Sequence, residues 1–222
     1  MLTIRIYTRF GSNSPIFLRI SRREWRNYQL CWEKISPYFG DDWTERIKED
    51  PYFVTKILFK SKEHFMQSIV FSAMCLEAFI YDYAANNFTD TYAKKYLDKL
   101  DIASKWVIIP KMITGKDFPT DSQAFQDLQR LIKERNNIVH SKSTHKPRSE
   151  NLVEILKTIG PRMKKDVETE KYFNKIPPHE IVIEVLQELR KLEGENDIGT
   201  QWWQLENTKY EYDEFKHFKE KK

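Results

Sequence analysis

Hydrophobic side chains recur every three or four residues through the middle of the chain, which is the spacing of one face of an α-helix. The clearest run of this kind consists of Met66, Val70, Ala73, Ile80 and Ala84. It predicts a long helix that begins at Ser61 and ends near Asn86. A helix of that length with a continuous apolar face is typical of a helical bundle.

Capping residues and helix breakers divide the rest of the chain into shorter helices. The predicted helices run from Ser21 to about Ile35, from Asp41 or Asp42 to Glu49, from Thr89 or Asp90 to Leu100, over Ala103–Thr114, from Asp121 or Ser122 to about His140, over Asn151–Ile159 and over Glu180–Leu192. Pro110 is expected to disturb its helix and Gly115 to end it. The pattern therefore predicts a mostly helical fold.

The two ends of the chain differ from this helical centre. Leu2–Tyr7 alternates apolar with polar residues, and the turn residues of Gly11–Pro15 separate it from a second apolar run, Ile16–Ile20. This arrangement predicts a short β-hairpin or an N-terminal arm. After Gly194 the chain is rich in aromatic and charged residues. We therefore divide the sequence into an N-terminal extension, a helical bundle and a C-terminal tail, at 1–60, 61–193 and 194–222.

The composition excludes several classes of protein. Of the 222 residues, 40% are hydrophobic and 32% are charged, a balance unlike that of a disordered tail or a membrane protein. Only six residues are glycine, which argues against a glycine-rich nucleotide loop and against a large β-barrel. The net charge of +4 permits an anionic partner without identifying one.

Cysteines and targeting signals say little about function but indicate a location. Cys31 and Cys75 stand in unrelated contexts, so neither a zinc site nor a disulfide framework is predicted. The longest weakly polar stretch, Ile69–Tyr81, is interrupted by Glu77 and is too short to span a bilayer. Met1–Asn13 lacks the pattern of a signal peptide. We therefore expect a cytoplasmic protein that is not bound to a membrane.

The helix that ends near His140 carries an arginine where an apolar residue is expected. Its apolar face consists of Phe125, Leu128, Ile132 and Val139. Arg135 fills the position between the last two of these residues. A guanidinium there must be paired or must line a cleft, because burying it unpaired costs several kcal/mol, roughly. The pattern leaves open a structural salt bridge and a functional cleft.

Arg135 has two polar neighbours at the same helix end. Asn136 and His140 are four residues apart and share a face beside it. An imidazole transfers protons near neutral pH, an arginine holds phosphate oxygens, and the 2′-hydroxyl of RNA supplies a nucleophile without a metal. These groups suit metal-free cleavage of RNA. On the local pattern alone, the simpler interpretation of His140 is an ordinary histidine favoured by the dipole at a helix C-terminus.

A second charge lies on an apolar face, in the long helix. Glu77 follows Ala73 by four residues and precedes Ile80 by three. Opposite charges on the apolar faces of two long helices are expected to pair, so the sequence predicts a contact between Glu77 and Arg135. Such a pair either fixes the register of the helices or orients the arginine or the histidine at a cleft.

These segments together resemble the HEPN superfamily (higher eukaryote and prokaryote nucleotide-binding domains). The resemblance rests on Leu76–Ile80 in the long helix and on Glu134–His140 at the end of the later one. The mark of the family is an arginine, usually followed by a polar residue, a few positions before a histidine. Arg135, Asn136 and His140 match it, with four residues between the arginine and the histidine. The resemblance covers roughly Ser61 to Ser143, and Asn151–Leu192 would complete the bundle.

The resemblance implies an all-α, up-down bundle that dimerises by facing two copies of the arginine–histidine helix. It also implies a metal-independent endoribonuclease without a cofactor, which acts in toxin–antitoxin or anti-phage defence. In that role Arg135 would bind and polarise the scissile phosphate, and His140 would be the general acid and base. Asn136 would position the phosphate or Arg135, and Glu77 would support them.

Other residues suggest contacts or alternatives. Lys142, Lys146 and Arg148 follow the motif directly and are the predicted contacts to the RNA backbone. Trp202 and Trp203 would stack on bases or, more commonly for tryptophan, anchor packing or a partner. The remaining histidines are scattered and predict no metal site. The alternative function is a non-catalytic module that binds a nucleotide or a protein. A third is an antitoxin or accessory subunit whose aromatic tail holds a partner.

Overall fold

Packed α-helices make up nearly all of the described chain. The structure, a computed structural model, describes residues 12–36, 51–140 and 167–194. Its helices are α1 (Ser14–Ile35), α2 (Pro51–Asn87), α3 (Ile102–Thr114), α4 (Gln123–Val139), α5 (167–175) and α6 (Pro178–Glu193). Between α2 and α3, a helical turn at Asp90–Tyr92 runs into a π-helical turn at Ala93–Leu97. No strand occurs within these ranges, and the predicted mostly helical class is confirmed.

Local sequence signals set several helix ends. The Thr89 hydroxyl accepts a hydrogen bond from the backbone N–H of Tyr92 at 3.1 Å, and the Ser122 hydroxyl accepts one from Phe125 at 3.2 Å. Both caps lie where the sequence predicts them. Gly115 ends α3 with a φ of 72°, a left-handed conformation that glycine adopts without the steric cost of a Cβ.

The predicted second strand of the N-terminal hairpin was wrong. Ile16–Ile20 lies in α1, which begins at Ser14. Pro15 sits in the first helical turn, where its missing N–H removes no helical hydrogen bond. Leu18 is fully buried in the core, so tertiary packing decides the structure of a short apolar run that fits a strand or a helix. The other predicted strand, Leu2–Tyr7, lies outside the described residues.

The central helix of the bundle is α2, which packs against α1, α3, α4 and α6. It begins at Pro51, earlier than the predicted Ser61, and ends at Asn87. Its buried face meets those of the other helices in one core, which includes Leu18, Trp25, Leu76, Ile80, Trp106, Leu128, Phe173 and Leu186. This core takes in α1, although the sequence pattern assigns α1 to the N-terminal extension.

The same central helix is apolar for much of its length. By length and composition alone, Tyr52–Asn87 is long and apolar enough to cross a membrane. Of its most apolar window, 61% is buried inside the protein. The core helix of a soluble protein combines length and apolar character in the same way, so this helix is only a weak indication of a membrane span.

Small polar side chains lie between α1 and α2. Ser21, predicted to cap a helix, is instead fully buried in the middle of α1. Its hydroxyl oxygen lies 2.6 Å from the Ser72 hydroxyl oxygen and donates a hydrogen bond to the backbone carbonyl of Ser68 at 3.0 Å. Because serine side chains are short and satisfy one another here, the two helices pack together without leaving these hydroxyls unpaired.

A buried acid joins the same two helices. The Glu24 side chain is 5% exposed, and its carboxylate accepts hydrogen bonds from His64 Nδ1 at 2.6 Å and from Arg23 Nε at 2.8 Å. Burial raises the pKa of Glu24, but the hydrogen bonds from His64 and Arg23 outweigh it and hold the pKa below its usual 4.5. The carboxylate therefore stabilises the packing of α1 on α2 while it is charged.

We expect Glu24→Gln to lower the free energy of unfolding by about 1–3 kcal/mol at neutral pH, because the neutral amide removes the negative charge that strengthens both hydrogen bonds. A carboxyl whose pKa falls on folding stabilises the protein above pH 4.5 and loses that contribution as the pH falls through the folded-state pKa. Urea unfolding at neutral pH and well below pH 4.5 should therefore show the difference shrinking in acid. Glu33→Gln, at an exposed position of α1, is the control. An equal loss at both pH values would contradict this explanation.

Of the remaining predicted segments, one is confirmed and the others lie outside the described residues. The last predicted helix is confirmed as α6, which begins at Pro178 and ends at Glu193. The short helix that ends at Glu49, the helix Asn151–Ile159 and the tail with Trp202 lie outside the described residues.

Candidate functional site

The candidate site lies where α4 leaves the core and reaches the surface. At the start of α4, Phe125 and Leu128 are buried among the other helices. Farther along the same apolar stripe, Ile132 is half-buried and Val139 is 55% exposed. Arg135, between Ile132 and Val139, therefore lies at the edge of the bundle rather than inside it.

Arg135 reaches across to α2 and contacts the acid predicted from the sequence. Its Nη2 lies 2.5 Å from Glu77 Oε2, so the predicted pairing is confirmed. The side chain of Arg135 is 20% exposed and that of Glu77 is 40% exposed. Because water reaches both groups, their attraction is screened, and an anionic ligand can compete with Glu77 for the guanidinium.

Asn136 is the second residue that holds Arg135. Its side-chain oxygen accepts a hydrogen bond from Arg135 Nη1 at 3.0 Å. Two of the five N–H donors of the guanidinium are used in this way, and the others have no partner among the described residues. Glu77 and Asn136 therefore orient the guanidinium and leave donors for a further anion.

His140 is the residue that ends α4. Its backbone N–H donates to the carbonyl of Asn136 at 2.9 Å, which closes the last helical turn. Its side chain is exposed, and no side chain among the described residues forms a hydrogen bond with the imidazole. A ligand can therefore reach the ring.

Arg135 and His140 do not share a face of α4. They are five residues apart, which at about 100° a residue is about 140° around the helix axis. Asn136 is four residues before His140 and lies about 40° from it. The three side chains therefore form a band around the helix end. A substrate that contacts all of them must wrap this end or be enclosed by a second surface.

A groove of about 440 Å³ lies beside Glu77, but its charge does not suit a phosphate. Carboxylates of Glu77, Asp82 and Asp98 line it. Lys105 Nζ contacts Asp98 at 3.2 Å and Arg135 contacts Glu77, but neither of these cations lines the groove. An anion therefore approaches Arg135 from another side.

Only some of the predicted site residues lie within the described part of the chain. Lys142, Lys146 and Arg148, the predicted RNA contacts, lie outside the described residues. Within the described ranges, no three or more His, Cys, Asp or Glu side chains come together as a set of metal ligands. The structure thus assembles Glu77, Asn136 and Arg135, with His140 at the end of the same helix.

A polar cluster earlier in α4 was missed by sequence reasoning. Asp127 is 1% exposed, and its carboxylate accepts hydrogen bonds from the Tyr172 hydroxyl and from Gln123 Nε2, the latter at 2.7 Å. The Arg130 guanidinium lies over the Tyr172 ring, 3.8 Å from its centroid. The sequence signal that could have revealed this cluster is the position of Asp127. It follows Ala124 by three residues and so places a carboxylate on the core face of the helix. The cluster joins α5 to α4.

No protein-family model, curated protein or solved structure matches this chain. The chemistry of the candidate site therefore has to be inferred from its own side chains. They are an oriented cation, an amide and an exposed imidazole at one helix end.

Proposed function

We propose that the protein is a metal-independent endoribonuclease of HEPN type. The observation that carries the proposal is the end of α4, where Glu77 and Asn136 orient Arg135 and the exposed His140 follows. An oriented guanidinium and an accessible imidazole are the groups that catalyse cleavage of RNA by its own 2′-hydroxyl. The net charge of +4 agrees with an anionic substrate.

In this mechanism the nucleophile comes from the substrate. His140 takes the proton of a ribose 2′-hydroxyl, and the 2′-oxygen forms a bond to the adjacent phosphorus. The bond from that phosphorus to the 5′-oxygen of the next nucleotide breaks, and the leaving oxygen receives a proton from an imidazolium. The products end in a 2′,3′-cyclic phosphate and a 5′-hydroxyl. Arg135 holds the phosphate oxygens and stabilises the charge that develops on them.

Asn136 and Glu77 are positioning residues in this mechanism. Asn136 keeps one edge of the Arg135 guanidinium in place through the 3.0 Å hydrogen bond. Glu77 holds the other edge until a phosphate competes for it, and its 40% exposure lets the carboxylate turn to water when that happens.

The proposal includes a homodimer as the active form, in a setting of phage defence or a toxin–antitoxin pair. One chain alone presents Arg135 and His140 about 140° apart on α4. Two α4 ends facing each other would enclose a phosphate between Arg135 of one copy and His140 of the other. Ile138 and the 55% exposed Val139 supply apolar surface for such a contact at the same helix end.

Incubation of the purified protein with total RNA and with tRNA in EDTA tests the proposal. We expect fragments with 2′,3′-cyclic phosphate and 5′-hydroxyl ends, because the ribose and not water is the nucleophile. DNA of the same sequence is the matched control and should stay intact, since it lacks the 2′-hydroxyl. Fragments with 5′-phosphate ends, or cleavage only after a divalent metal is added, would contradict the mechanism.

The second candidate function is a non-catalytic module that binds a nucleotide or a protein. The ion pair of Glu77 with Arg135 favours it, because an arginine paired with an acid can fix the register of α2 and α4 without taking part in catalysis. For such a module, replacing His140 would leave the binding of its ligand unchanged, and replacing Arg135 would only destabilise the bundle.

A further inference from the structure

A cationic groove lies between α1 and the start of α6. It has a volume of about 400 Å³ and is lined by Arg22, Trp25, Arg26, Gln29, Pro177 and His179. This volume lies in the range of ligand sites. None of these six residues is an acid, so the lining carries a net positive charge.

The two arginines of the groove are not neutralised within the described chain. Arg22 and Arg26 are four residues apart on α1 and project from the same side, where like charges repel. Neither forms an ion pair among the described residues, whereas the neighbouring Arg23 contacts Glu24 at 2.7 Å. An anion between the two guanidinium groups would remove their repulsion, which makes the groove a site for an anion.

His179 forms one wall of the groove without adding to its charge. Its side chain is 14% exposed, and its Nε2 lies 3.2 Å from Glu180 Oε1. Burial, and secondly the charge of Arg22, lower the pKa of His179 to about 4, so the ring is neutral at pH 7. Its Nδ1 is buried and has no hydrogen-bond partner among the described residues.

We infer that this groove binds the phosphate backbone of an RNA strand, as an anchoring site additional to Arg135. Arg22 and Arg26 stand about one helical turn apart on α1, with a rise of about 6 Å along its axis. Two guanidinium groups in succession match the repeated phosphates of a strand better than the single phosphate of a nucleotide, and each guanidinium fork can hold two phosphate oxygens.

The inference rests on the proposed function for the identity of the ligand, but it does not depend on catalysis. Its test is the binding of a fluorescent single-stranded RNA with 2′-O-methyl riboses, which has no nucleophile and cannot be cleaved by the proposed mechanism. Fluorescence anisotropy in EDTA, over a series of salt concentrations, compares the full chain with an Arg22→Gln/Arg26→Gln variant. We expect the variant to bind about tenfold more weakly at low salt. The slope of log Kd against log salt should fall by about 1.4, since each phosphate contact on a single strand contributes about 0.7.

The matched control is an Arg23→Gln/Lys34→Gln variant, which removes two charges from α1 outside the groove. A glutamine at position 23 can still donate a hydrogen bond to Glu24, and thermal unfolding verifies that each variant is folded. The inference is overturned if the native protein does not bind this RNA or if both variants weaken binding equally. Displacement of the RNA by an equal concentration of AMP would also overturn it, in favour of a nucleotide site. If RNA binding depends on Arg22 and Arg26 but the protein cleaves no RNA, the inference about the groove is upheld and the proposed endoribonuclease function is excluded.

Discussion

His140→Ala is expected to reduce RNA cleavage about 10²- to 10⁴-fold, the contribution that general acid–base catalysis typically makes. Imidazole is the side-chain group suited to proton transfer near neutral pH. His140 places one at this helix end, one turn after Asn136. Removing it leaves Arg135 to bind the phosphate but takes away the group that accepts the 2′-hydroxyl proton in the proposed mechanism. Single-turnover rates of tRNA cleavage in EDTA, for the native protein and the variant, measure the loss.

Two comparisons separate this catalytic role from a structural one. Because His140 is exposed, its replacement should change the free energy of unfolding by no more than about 0.5 kcal/mol. Asn137→Ala is the matched control, since Asn137 is exposed in the same turn and its side chain donates to Glu134 at 3.0 Å. It should cleave at the native rate. Native cleavage by His140→Ala would exclude the assigned role and favour the non-catalytic module.

The contact between Glu77 and Arg135 was predictable because each charge interrupts an apolar stripe. Helical spacing alone predicts which face of α2 and of α4 carries a charge, and opposite charges on facing surfaces pair. Spacing does not predict how deeply each apolar stripe is buried. Arg135 shares its stripe with the fully buried Leu128 and with the 55% exposed Val139, and where α4 leaves the core depends on the neighbouring helices. The accessibility of the site is therefore a property of the tertiary structure.

Helix ends were predictable where their cause is local. Ser122 caps α4 through its own hydroxyl, and Gly115 ends α3 through its own backbone conformation. The start of α1 was not predictable in this way, because Ile16–Ile20 fits a strand or a helix until it packs on α2. The groove at Arg22 and His179 depends on the packing of α6 against α1, which no local pattern encodes.

His179 should make the stability of the protein depend on pH above the range in which carboxyl groups titrate. Burial, and secondly the Arg22 charge, lower its pKa from 6.5 to about 4 in the folded protein. Between these values the unfolded chain binds a proton that the folded protein does not. The contribution is therefore present above pH 6.5 and is lost as the pH falls towards 4. The full difference corresponds to about 3 kcal/mol.

We therefore expect the free energy of unfolding of the native protein to fall by about 2 kcal/mol between pH 6.5 and about 5, measured with urea. His179→Gln should remove most of this dependence, and His140→Gln, at an exposed position, should keep it. The stabilisation from Glu24 is lost only as the pH falls below 4.5, so the two effects are separable. Parallel curves for the native protein and His179→Gln would mean that the folded ring takes up a proton, stabilised by Glu180 at 3.2 Å. The groove would then carry a third positive charge in mild acid, and RNA binding through Arg22 and Arg26 would strengthen as the pH falls.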